Sequence, residues 1–499
     1  MTYLFNDPVD FADELIEGFV AANAQWVRHV SGGVVRASAK TPGEVAVVIG
    51  GGSGHYPAFA GLVGQGFAHG AAMGNLFASP SAHQVYSVAK AAESGGGVLL
   101  TYGNYAGDVL NFTQAQDRLI AEGIPCRTVI ITDDVSSASV EEIGKRRGIA
   151  GDFTVFKVAA AAAEGGADLD EVVRLATKAN DRTRSIGVAF SGCTLPGASE
   201  PLFTVPDGRM AIGMGIHGEP GIDETDIPTA DELAALFVER LLEEAPDDAR
   251  SGGRVTAILN GLGSVKYEEL FVTYRSVDRL LREHDLSIVE PEVGELVTSF
   301  QMAGASLTLF WLDEELEPLW HAPVSTPAYR KGSVDEVDAD NDIDEIEAEL
   351  EAVEPGSADS HRAAEVVVRA LAATKHVIDE NVDELGRLDS IAGDGDHGIG
   401  MQRGATAAAT AAEDAFGKDA GAGTVLNRAG DAWADRAGGT SGALWGIALR
   451  ALGEAVGDQN APDAATVAAG VRSAEAEIVR FGKAAVGDKT LVDTLLPFA

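Results

Sequence analysis

Hydrophobic and polar positions follow two periods in the first two-thirds of the chain and one in the last third. Short apolar runs at 45–49, 98–102, 128–132 and 255–259 read as buried strands, most of them ending in glycine-rich turns. Helical spacing predicts helices at 8–22, from a probable cap at 79–81 to about residue 94, at 109–122, across 149–180 and at 265–283, with further strand and turn elements at 186–197 and 210–221. Strands alternating with helices imply a largely parallel sheet whose ligand crevice lies beyond the strand C-termini. After residue 360 strand-like runs are few, and helical patterns at 362–388, 404–416, 425–436 and 443–455 predict an all-α bundle. The expected architecture is multidomain: an α/β region of two mixed or parallel-sheet subdomains (1–185 and 186–325), an acidic linker (326–360) and an all-α domain (361–499).

Composition narrows the possibilities. The chain has 499 residues, 45% of them hydrophobic, and 59 glycines, as expected of a globular protein with many tight turns. A formal net charge of -40 sets a repulsive field against nucleic-acid phosphates, so no nucleic-acid partner is expected. Nucleotides carried in with a metal remain possible. Cys126 and Cys193 are too few for a disulfide framework or a thiolate metal site and fit a reducing compartment. The N-terminal MTYLFNDPVDFADE lacks signal-peptide character and no apolar run is long enough to span a bilayer, so cytoplasmic location without a membrane partner is the expectation.

Candidate chemistry gathers in the glycine-rich loops. GGGSGHYP at 50–57 lacks the Lys-Ser or Lys-Thr of a P-loop and does not match GxGxxG, so a Rossmann oxidoreductase is poorly supported. The amides of 51–54 can still hold a small oxygen-rich ligand with His55 at the loop's end, although a fold-only role for His55 stays open. A second glycine-spaced turn carries Asp108, and loops following two strands of one parallel sheet place Asp108 and His55 on the same rim. His217 lies in a Gly-bounded loop after Ile216, where an imidazole can be a base, a nucleophile toward a carbonyl or a structural hydrogen-bonding residue.

In the helical third, DSIAGDGDH crowds Asp389, Asp394 and Asp396 into one turn ending at His397. Hard oxygen ligands with open positions suit Mg2+ shared with phosphate; a solvated acidic capping turn is the alternative. The order of residues is not that of an EF-hand. GGTSGALWG at 438–446 enters a helix with small residues that let a phosphate or ribose approach the backbone, unless they serve only close helix packing. GDKT at 487–490 can close over a nucleotide, or Lys489 is a surface charge.

Taken in order, GGSGHYPAF, FASPS, GNYAGDVLNF, GIHGEPGI, DSIAGDGDHGIGM, GGTSGALWG and GDKTLVD make the chain resemble the dihydroxyacetone kinase family over almost its whole length, in the form where a substrate-binding K half and a nucleotide-binding L half share one chain. The resemblance implies an ATP- and Mg2+-dependent kinase acting on a short-chain ketose. It implies that His217 adds through Nε2 to the ketone carbon as a hemiaminal, a step closed to glycerol, which has no carbonyl. Asp108 would take the proton of the attacking hydroxyl, His55 would assist, and Gly52 and Ser53 would hold substrate. Asp389, Asp394 and Asp396 match the ligands of two Mg2+ ions, with His397, Thr440, Ser441, Gly442, Gly487 and Asp488 around the nucleotide. On this view 1–185 binds ketose, 186–325 carries the linking histidine, 361–499 binds Mg-ATP, and the protein is a homodimer.

Three departures from the family pattern qualify this. Tyr56 stands where the loop commonly has a carboxylate, and Gly103 and Ala106 replace a lysine and a threonine, exchanges similar to the branch acting on erythrulose or another four-carbon ketose. The chain stops at LVDTLLPFA, where the L half normally continues through further helices, so a C-terminally incomplete L domain, or a different closure, is expected. Alternatives are a phosphoprotein-dependent ketose phosphotransferase, a noncatalytic ketose sensor or scaffold, and, further off, FAD cyclisation to cyclic FMN.

Overall fold

Strand Ala46–Ser53 is buried at all of its positions, the condition of a strand covered on both faces. In the computed structural model, which describes residues 4–249, 252–334, 352–390, 396–487 and 490–495, it lies in the middle of a six-stranded sheet. The order is Val27–Val30, Gly33–Arg36, Gly70–Leu76, Ala46–Ser53, Val98–Gly103, Cys126–Ile131. The last four run parallel, as the strand-helix alternation predicts. The first two form an antiparallel hairpin turning at Gly32, whose φ of 85° suits glycine.

The second sheet is mixed, one of the two forms expected of these subdomains. Arg254–Leu262 and Thr183–Ala189 flank Gly304–Leu312 in antiparallel register, and Arg209–Ile212 and Asp223–Asp226 extend it by antiparallel pairing. The short strands Ser287–Ile288 and Glu292–Gly294 add parallel pairs to Arg254–Leu262. Strand alternation divides the core: Phe310 faces a cluster shared with Ile49, Phe153, Phe156 and Trp320 of the first sheet's side, while Trp311 faces Phe237, Leu241, Val277 and Leu281 under helices Ala230–Leu242 and Tyr267–Glu283. One apolar cluster therefore runs through both sheets. The region read as helical at 149–180 holds two helices, Asp152–Glu164 and Leu169–Asp181, the second capped by Asp168.

By contact density, residues 1–77, 86–109 and 116–343 form one compact unit that holds both sheets. The other unit includes the helices from Ala358 onward: Ala358–Asp379, Val382–Asp389, His397–Gly417, Ala422–Ala437, Gly439–Val456, Ala464–Gly482 and Leu491–Leu495. Its core is built on small residues. Ala405, Ala408, Ala412 and Ala415 are buried at helical spacing, and a Cβ on Gly404 would meet the Trp433 ring at 2.6 Å. Ser360 Oγ accepts from the Ala422 amide at 2.9 Å and Asp458 from the Thr424 amide at 2.9 Å, tying the start of Ala422–Ala437 to its neighbours. Among the described residues no helix is long and apolar enough to cross a membrane.

Candidate active site

The loop after Ala46–Ser53 is shaped by close approaches. Gly54 has φ 105°, and a Cβ there would meet the Phe77 ring at 2.8 Å. The His55 ring stacks on Phe77, with centroids 5.1 Å apart, and is almost wholly buried. Its Nδ1 lies 2.8 Å from the Thr298 carbonyl oxygen, which only accepts, so Nδ1 carries a proton and donates. Burial first, then the neighbouring His217, pulls its pKa down to about 3. The amides of Thr298 and Phe300 in turn donate to the carbonyls of His55 and Gly54, at 3.3 and 2.7 Å. Gly52 and Ser53 lie inside the strand, and the Ser53 hydroxyl donates to the Gly74 carbonyl at 2.7 Å.

His217 reaches this loop from the second sheet's side. Its Nε2 is 3.0 Å from His55 Nε2, and its ring meets Tyr105 edge-on with centroids 4.6 Å apart. Glu219 holds the other side: Oε1 lies 3.0 Å from His217 Nδ1 and Oε2 accepts from the His217 amide at 3.1 Å. Although burial opposes it, the hydrogen bond and charge of His217 hold the Glu219 carboxyl at about 2, so it is ionised. Arg147 stands 4.0 Å from Glu219, anchored by Asp134 at 2.9 Å and the Gly213 carbonyl at 2.8 Å.

Asp108 lies in the first turn of helix Ala106–Ala121, not in a turn before it, and its side chain is buried. The helix dipole favours an anionic carboxylate there. Tyr105, the residue capping that helix, touches His217, so the turn carrying Asp108 abuts the imidazole pair. The parallel pairing of Ala46–Ser53 with Val98–Gly103 puts the two loops side by side. Glu219, Tyr105, Phe77, Arg147 and Thr298 were not singled out from the sequence. Glu219 stood inside GIHGEPGI, two residues from His217, and an acid at that spacing was the available signal. Thr298 is 243 residues from His55 and carries no local signal.

In the helical unit, Asp389 ends helix Val382–Asp389 and Asp396 is the residue before helix His397–Gly417, while Asp394 lies outside the described residues. A Cβ on Gly398 would strike the Val382 carbonyl at 2.1 Å, so the start of His397–Gly417 packs against the first turns of Val382–Asp389. A Cβ on Gly400 would lie 3.5 Å from the Ala437 carbonyl, which brings the start of His397–Gly417 beside the turn at Gly438. Gly438 and Gly439 have φ of 65° and 61°, and helix Gly439–Val456 begins without a side-chain cap. Thr440 and Ser441 are exposed in its first turn and Gly442 is buried against Ala437. Carboxylate oxygens and the amides of an uncapped helix N-terminus are the chemistry that a divalent cation carrying phosphate takes. The Gly487 amide donates to Asp493 at 2.7 Å and the Thr490 amide at 3.0 Å; Asp488 lies outside the described residues.

Glu44, His69 and Glu164 also converge with metal-ligand chemistry. Arg36 already fills that role, at 2.8 Å from Glu164 and 3.8 Å from Glu44, while also donating to the Phe67 and Ala68 carbonyls. Glu44 precedes strand Ala46–Ser53 whereas His55 follows it, so this ion-pair network sits at the opposite end of the sheet from the imidazole pair.

Residues 17–328 match the Dak1 domain and residues 391–499 the DAK2 domain. The chain belongs to the dihydroxyacetone kinase family. It is 63% identical to an L-erythrulose kinase of Pectobacterium atrosepticum, over 100% of this chain and 85% of that one. It is 56% identical to a D-erythrulose kinase of Mycolicibacterium smegmatis, over 100% of this chain and 86% of that one. Among solved structures, the dihydroxyacetone kinase from C. freundii in complex with AMP-PNP and Mg2+ aligns with a TM-score of 0.60 at 28% identity, covering 99% of this chain and 90% of that one. Both domains on one chain mark the two-domain K-plus-L form of this family.

Proposed function

We propose that this chain phosphorylates a terminal hydroxyl of a short-chain hydroxyketose, erythrulose or dihydroxyacetone, at the expense of ATP with Mg2+. The observation that carries the reading is the imidazole pair: His217 is held by Glu219 on Nδ1 and directs Nε2 into the loop beside His55 and the Asp108 turn. In this reading Nε2 of His217 bonds to the ketone carbon, Asp108 accepts the proton of the attacking hydroxyl, and His55, Gly52 and Ser53 position the ketose. Asp389, Asp394 and Asp396 would hold Mg2+, with His397, Thr440, Ser441, Gly442, Gly487 and Asp488 around the nucleotide. When bound, Mg-ATP supplies the phosphoryl group and neutralises its oxygens.

The finer organisation belongs to the same proposal. Residues 1–185 and 186–325 serve as the two ketose-binding subdomains, 326–360 as the acidic linker and 361–499 as the nucleotide domain. The protein works as a cytoplasmic homodimer, the location supported by its two buried free cysteines and the dimer by the exposed Ile227, Phe271 and Val272 on the second sheet's side. The test is phosphate transfer from ATP with Mg2+ to dihydroxyacetone, D-erythrulose and L-erythrulose, with glycerol in parallel. Transfer to a ketose and none to glycerol is the expected result; no transfer to any of them overturns the proposal.

A further inference from the structure

The hydrogen bonds around the imidazole pair count protons. The Thr298 carbonyl accepts from His55 Nδ1 at 2.8 Å, and the ionised Glu219 carboxylate accepts from His217 Nδ1 at 3.0 Å. Each ring thus has its Nδ1 proton committed. If both rings were neutral, two Nε2 lone pairs would face each other at 3.0 Å, a contact without a hydrogen. The distance is that of a hydrogen bond, which requires one further proton between them. The neighbouring groups are consistent with that cation: Phe59 and Phe77 are apolar, Tyr105 donates its hydroxyl proton to the Gly148 carbonyl at 3.0 Å, and Arg147 is tied to Asp134. Asp108 lies one helical turn beyond Tyr105.

We infer that Glu219 is a positioning residue that holds one extra proton on the ketose-free site, shared between the Nε2 atoms of His55 and His217, and that this is the proton the ketone oxygen takes on capture. The inference rests on the assignment of His217 as the capturing group. The step balances without solvent. The bridging proton moves onto His55 Nε2, releasing the His217 lone pair, which bonds to the ketone carbon. The C=O π pair moves to oxygen, and that oxygen takes the proton from His55. His55 ends neutral, and His217 ends as an N-substituted imidazolium opposite Glu219.

Calorimetric titration with dihydroxyacetone, without nucleotide, in buffers of different ionisation enthalpy tests this. Near neutral pH the wild type takes up close to zero protons per ketose bound, and uptake climbs toward one as alkali removes the bridging proton. Glu219→Gln, which keeps the shape but removes the counter-charge, moves that climb to lower pH by about one unit or more and weakens neutral-pH capture about tenfold. Glu219→Asp, which restores the charge, moves it back. Uptake of one proton by the wild type at neutral pH, or a Glu219→Gln profile that coincides with wild type, overturns the inference. Absence of any adduct with carbonyl-labelled dihydroxyacetone sinks the capture assignment instead. In that case nitrogen NMR of the ketose-free protein still decides the bridge: two protonated nitrogens on the His217 ring support it, and one overturns it.

Discussion

At His55 burial has a cost that appears in the acid range. Its proton affinity is pulled down to about 3 in the folded protein against an ordinary value of 6.5. The unfolded chain therefore binds more protons between those values, and stability falls as pH drops from about 6.5 toward about 3, by up to about 5 kcal/mol. Urea unfolding of His55→Gln should show a shallower loss across that window than the wild type. Roles in turnover separate at the same scale. Asp108→Asn should lower kcat by about 10^2–10^4-fold with KM for ketose little changed, whereas His217→Ala should abolish the adduct and raise KM more than it lowers kcat. Steady-state kinetics with each ketose checks both. That His55 and His217 stand in glycine-bounded loops was legible from the sequence, whereas the place of Asp108 inside a helix was not. Nor were the roles of Phe77 and Thr298, because their meaning lies in contacts made by chain folding back on itself.

Among the elements, the loop at Gly54 shows how backbone and chemistry are joined. A side chain at φ 105° is strained by roughly 1–3 kcal/mol, and it would also push on the Phe77 ring that carries His55. Gly54→Ala should thus lower the melting temperature by several degrees and weaken ketose capture together, measured by thermal denaturation and titration. The parallel strands were legible as apolar runs with helices between them. The hairpin of Val27–Val30 and Gly33–Arg36 was not, being two strands of four residues with no room for a period to declare itself. Gly70–Leu76 was missed for another reason: GAAMGNL is mostly small residues, and its burial comes from neighbours on either side rather than from β-branched side chains. The second sheet is of the mixed kind, its long strands pairing antiparallel, in a register that apolar runs alone do not give.

For the whole molecule, the separation of chemistries has an observable outcome. All the residues that hold the imidazole pair belong to the unit built on the two sheets. Removing Mg2+ with a chelator should stop phosphate transfer while leaving the ketose adduct intact, as read by carbonyl-carbon NMR. The net charge of -40 adds that activity should depend on free Mg2+ and ionic strength, since Mg-ATP approaches a negative surface. The division between an α/β region and an all-α region was plain from the change in hydrophobic period near residue 360. How one apolar cluster unites the two sheets was not, because period reports which face is buried and not against what.

The backbone bonds from Thr298 and Phe300 to His55 and Gly54 cross from one sheet's loops to the other's. These amides cannot open to solvent one at a time without dragging the His55 ring from its carbonyl. In deuterium exchange the Thr298 and Phe300 amides should therefore report a single opening event, slowed in step when ketose is added. The catalytic loop would then breathe at the rate at which the two sheets come unstitched.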